Sequence, residues 1–137
     1  MHILVMTRIV PSHSLGGMQK QTMDLCSGFV ESGHQVTLLT TGRKDGLEQE
    51  DYNGVNIIFL SGSKPGYYSR KWNSMCRKKI VEIHRTSPID VIHSQSMGAN
   101  GVLNSFQISN ALIRGQYLVY IISAALIILL LSSPVTM

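Results

Sequence analysis

Two adjacent glycines, Gly16 and Gly17, stand where a loop meets an amphipathic segment, within VPSHSLGGMQKQTMDLCSGFVESGHQVTLLTTG, Val10 to Gly42. Glycine carries no Cβ, so backbone N–H groups at such a pair can approach a ligand closely. The first turn of a helix leaves N–H groups unpaired and bears partial positive charge. The combination suits an anion such as phosphate. A tight turn with no ligand is the other use of the same pair, and local physics leaves both open.

Histidines are the next candidates. His93 closes the short segment DVIH, Asp90 to His93. There it either touches a substrate across a cleft or sits half-buried with its ring satisfied. His13 reads as a solvated loop residue and His34 as a residue packed beside a helix end. Cys26 and Cys76 are far apart and belong to no CxxC pair, which fits reduced core thiols in a cytosolic protein. No cluster of His, Asp or Glu has the spacing of a metal site. A dinucleotide site needs GxGxxG directly after the first strand and a carboxylate near the end of the second. Here the second strand ends Thr41-Gly42-Arg43 and the glycines lack that spacing. A Walker A motif is absent as well. The net charge of +4 is mild and names no nucleic-acid partner.

The elements that position these residues follow from patterning. The apolar run His2 to Met6 suits a strand buried on both faces. Met18, Thr22, Leu25, Cys26, Phe29 and Val30 recur at three- and four-residue steps and predict a helix, with Gly33 as its left-handed cap. His34 to Thr41 is rich in β-branched residues and predicts a second, parallel strand. Arg43 to Asn53 reads as a loop and Gly54 to Leu60 as a third strand. Trp72, Met75, Cys76, Ile80 and Ile83 give the apolar face of a second helix over Ser69 to Arg85, stopped by Pro88. Its Arg70, Lys71, Arg77, Lys78, Lys79 and Arg85 read as a solvated face, with contact to anionic lipid as the alternative. Asp90 to His93 is a fourth strand, then SQSMGANG a loop, then a weak helix from Ala99 to Phe106. Alternating strands and helices predict an α/β, Rossmann-like doubly wound parallel sheet.

The chain changes character afterwards. Gly115 to Met137 holds no charged residue. YLVYIISAALIILLL, Tyr117 to Leu131, is apolar throughout and is expected to be helical. At about 1.5 Å per residue it falls short of a hydrocarbon core of about 30 Å, although extended from Gly115 through Val135 it just spans one. Three readings stand: a membrane anchor, a foreign tail from an interrupted coding sequence, and a buried sheet element.

The order of ILVMTRIVPSHSLGGMQKQTMDLCSGFVESGHQVTLLTTG and PIDVIHSQSMGANG resembles the N-terminal domain of the family 4 glycosyltransferases, which have the two-domain GT-B fold. The resemblance covers residues 1–106 as one Rossmann-like, acceptor-side domain and leaves 107–137 as a tail. It implies transfer of a sugar from a nucleotide-sugar donor to a sugar or lipid-linked acceptor, with no metal and no further cofactor. It implies that Gly16, Gly17 and Met18 face the donor diphosphate, and that His93 and the loop holding Ser96 line the cleft. The family's next strand, with its His-Gly or His-Thr pair, and its Glu-x7-Glu domain have no counterpart here. The expectation is therefore a truncated domain, inactive alone, cytoplasmic, completed by a separate chain or held at a membrane by its tail. The alternative is a non-catalytic, membrane-associated interaction protein built on the same half-fold.

Overall fold

The computed structural model describes residues 1–95, 118–122 and 127–130, with side-chain environments for 1–95. Seven strands and two helices occur among them: β1 (His2–Met6), α1 (Gly17–Glu31), β2 (Gln35–Thr41), β3 (Gln49–Tyr52), β4 (Val55–Leu60), α2 (Arg70–Thr86), β5 (Val91–Gln95), β6 (Leu118–Ile122) and β7 (Ile127–Leu130). They form one sheet in the order β3-β4-β2-β1-β5-β6-β7. β4, β2, β1, β5 and β6 run parallel, and β3 and β7 are antiparallel strands on the outer edges.

Strand alternation sorts the core into two layers. Ile3, Val5, Val36, Leu38, Ile57 and Phe59 face α1, where Met23 and Cys26 meet them. Leu4, Met6, Leu39, Leu60 and Ile92 face α2, packing on Trp72, Cys76 and Ile80. Both faces of the central strands are covered, which is why their sequences read as continuous apolar runs.

Helix ends follow their local chemistry. α1 closes as a Schellman motif: Gly33 takes φ +88°, its N–H donates to the Val30 carbonyl, and His34 N–H donates to the Phe29 carbonyl. α2 starts at Ser69, whose Oγ accepts from Trp72 N–H at 3.1 Å. α1 starts on Gly16 with no side-chain cap.

The structure corrects two expectations. The stretch read as a loop from Arg43 to Asn53 contains β3, which forms a hairpin with β4 through Asn53 at φ +51° and Gly54 at φ +86°. Positive φ at both turn residues is the geometry that Asn-Gly favours. The apolar tail, expected to be helical, is in strand conformation where it is described, with β6 parallel to β5. No helix among the described residues is long and apolar enough to cross a membrane. The expected helix from Ala99 to Phe106 lies outside the described residues.

Candidate functional site

The parallel strands deliver their following loops to one edge of the sheet, the edge at which ligands bind in open α/β folds. Thr41, the last residue of β2, ties three of these loops together. Its Oγ1 donates to the Arg8 carbonyl at 2.6 Å and accepts from Gly66 N–H at 2.8 Å. Its own carbonyl accepts from His13 Nε2 at 3.0 Å, and the Gly42 carbonyl accepts from the same nitrogen at 3.2 Å. His13 Nδ1 accepts from Val10 N–H at 3.1 Å, which fixes the proton on Nε2. His13 is therefore a half-buried latch rather than the solvated loop residue expected.

Gly42 is the tightest point. A Cβ there would lie 2.9 Å from the Ser63 carbonyl oxygen and 3.0 Å from that of Leu60, both backbone atoms. Its N–H donates to Ser63 Oγ at 2.9 Å, and that hydroxyl donates to the Leu60 carbonyl at 2.7 Å. Tyr68 extends the network to β5, its hydroxyl 3.5 Å from the Gln95 carbonyl, and burial pushes its pKa up.

Onto this scaffold the loop from Thr7 delivers the glycine pair. Gly16 is extended (φ 177°, ψ 167°), and the first helical bond runs from Lys20 N–H to its carbonyl. The N–H groups of Gly17, Met18 and Gln19 precede that bond and have no helical partner. Gly16 and Gly17 are exposed, and nothing lies within 4 Å of a Cβ built on Gly17. The Gln19 carboxamide folds back beside Gly16 and donates to Ser14 Oγ at 3.2 Å. Met18 and Leu15 project into solvent, at 46% and 90% exposure.

A cavity of about 290 Å³ opens on the same edge, lined by Ser12, His13, Arg43, Lys44, Asp45 and Pro65. Two of these lining residues pack on the buried Phe59, the Arg43 guanidinium 5.4 Å from its ring centroid and the His13 ring edge-on at 5.5 Å. Arg43 pairs with Asp45 at 2.6 Å and approaches Glu50 at 4.0 Å. The Leu47 N–H, and after it Arg43, hold the Asp45 carboxyl below its usual range.

His93 occupies a different environment. It is 5% exposed and faces the α1 layer, edge-on to Phe29 at 6.3 Å, with Nε2 3.3 Å from Gln95 Oε1. Burial depresses its pKa, and the Gln95 contact opposes that. Ser96 lies outside the described residues. No group of three or more His, Cys, Asp or Glu able to hold a metal occurs among the described residues. The glycine pair is thus carried by the same edge as a cluster that the patterning did not single out: Thr41, Gly42, Ser63 and Gly66. The one signal for it was Gly42 directly after a strand, where close backbone approach is a common reason for glycine.

No curated protein matches the chain. Among solved structures, the sucrose-phosphate synthase of Thermosynechococcus elongatus is similar at a TM-score of 0.61 and 16% identity, over 80% of this chain and 30% of that one. The chain thus spans less than a third of that protein's length, and the likeness is one of fold: a Rossmann-like half of the GT-B architecture. The sequence profile described as Glycosyltransferase Family 4 matches residues 15–106, well over half of the 137 residues, beginning one residue before the glycine pair. The chain belongs to glycosyltransferase family 4.

Proposed function

We propose that the chain forms one wall of a sugar-transfer cleft, the acceptor side, in a reaction that uses a nucleotide-sugar donor. The uncapped start of α1 at Gly16 and Gly17 carries this reading. Its free N–H groups suit the donor diphosphate, and they stabilise the negative charge that builds on the departing phosphate. Because Thr41 and His13 fix the loop in advance, little reorganisation is needed at the moment of reaction. Met18 borders the phosphates. The cavity beside Arg43 and Lys44 lies where an acceptor would enter. His93, in the middle of the neighbouring β5, acts from beneath the surface.

A second wall, which binds the nucleotide and the donor sugar, comes from a further domain or a separate chain. One wall alone does not hold donor and acceptor in reacting geometry, so this unit by itself does not catalyse transfer. The reaction takes place in the cytoplasm.

Titration of the ¹⁵N-labelled chain with inorganic pyrophosphate tests the reading. Saturable amide shifts at Gly16, Gly17 and Met18, reduced by added salt, are expected. Shifts confined to the surface lysines of α2 would overturn it.

A further inference from the structure

A larger cavity, about 350 Å³, lies far from the glycine pair, at the edge where β1, β2 and β4 begin. Its floor is a polar row across the sheet: His2 on β1, Thr37 on β2, Asn56 on β4 and Gln49 on β3. Its roof is the C-terminal half of α2, with Lys79, Glu82, Ile83 and Thr86. Further along these strands the same sheet face carries Leu4, Leu39 and Leu60, on which α2 packs tightly. The polar row keeps the helix from closing down here, at the expense of apolar burial.

The lining is arranged in hydrogen-bonded pairs. His2 Nε2 lies 2.8 Å from Thr37 Oγ1. Gln49 Nε2 donates to Asn56 Oδ1 at 2.7 Å, and Ser87 Oγ donates to Gln35 Oε1 at 3.1 Å. These pairs leave the Gln49 carbonyl, the Asn56 amide and the Gln35 amide with capacity for another partner. Lys79 and Glu82 pair at 3.4 Å, so the rim carries no net charge. Ile58 and Ile83 add apolar surface to the same cavity. Side-chain amides and hydroxyls around a small apolar surface, with balanced charge, match a polyhydroxylated ring with C–H faces. The volume falls within the range of small-molecule sites, about 300–1,000 Å³.

We propose that this cavity is a saccharide-binding subsite, taking one or two units of a neutral sugar at the sheet edge opposite the glycine pair. The assignment is independent of what the glycines bind. It gives the domain a second hold on a carbohydrate, away from the reacting groups.

The test is a ¹H–¹⁵N titration of the full chain with glucose, galactose, mannose and maltose in turn. At least one sugar is expected to produce saturable shifts at the Gln49 and Asn56 side-chain amides and the Thr86 backbone amide, leaving Gly16 and Gly17 unmoved. Asn56→Leu and Gln49→Ala should each weaken that binding about tenfold. Gln49 sits on an exposed strand, so its variant carries the comparison if Asn56→Leu does not fold. Absence of saturable shifts with all four sugars, or equal affinity in the folded variants, overturns the assignment.

Discussion

The Nε2–H of His13 points at the carbonyl oxygen of Thr41 from 3.0 Å, so the glycine-bearing loop is fastened to the end of β2 before any ligand arrives. His13→Ala removes this bond and orphans Val10 N–H. A loss of roughly 1–3 kcal/mol follows from an unsatisfied group of that kind. Urea denaturation reads the loss directly. A variant as stable as the parent would show that the latch carries no weight.

Gly42 admits no side chain without moving backbone. Gly42→Ala should destabilise by about 1–3 kcal/mol, the usual range for overpacking. The same midpoint measurement decides it, and an unchanged midpoint would refute the close packing of Ser63 and Leu60 around this residue.

Gly17→Ala behaves oppositely. A Cβ at this position meets open space, and alanine favours helical backbone over glycine by roughly 0.5–1 kcal/mol. The variant should be as stable as the parent or slightly more so, yet bind pyrophosphate more weakly. Separation of stability from binding is the signature to look for. Equal binding would remove the glycine pair from the site.

His93 makes stability depend on pH. Its folded pKa is lowered, first by burial, so the unfolded chain takes up the proton more readily. Its contribution is fully present above the unfolded value of about 6.5 and is lost as pH falls from there toward the lower folded pKa. Urea midpoints measured on both sides of that window should drop less in His93→Gln than in the parent. An equal drop would assign the dependence to other groups.

Both cysteines should be inert in the folded chain. Burial pushes the Cys26 thiol up to about 12 and raises Cys76 as well. Ellman's reagent at mildly alkaline pH is expected to react only after denaturant is added. Prompt reaction of either thiol in native buffer contradicts the packed layers around α1 and α2.

Much of the sheet was legible because its strands are buried on both faces. HILVM, QVTLLTT and VNIIFL are short, bounded by turn residues and rich in β-branched or apolar side chains, which favours strands over helices, and Gly33 marks a helix end. β3 escaped because QEDY is polar and largely exposed, so no apolar alternation betrays it. The Asn53-Gly54 pair was the available hairpin signal. The tail stays open between helix and sheet in the sequence because a run that is apolar at every position has no period to tell the two apart, and the sheet alternative is the one its described residues adopt. At the site, the glycine pair stands out by composition alone. The bonds of His13, Thr41 and Gly66 do not, since they join residues more than twenty positions apart. The polar row of His2, Thr37, Asn56 and Gln49 emerges only once strand register is known.

The short outer ribbon has one more effect. Glu50 and Asp51 put two carboxylates on a four-residue border whose unpaired amides would otherwise invite a neighbouring molecule to add on. Like charge repels a second copy offering the same border, so growth into fibrils is discouraged from that side.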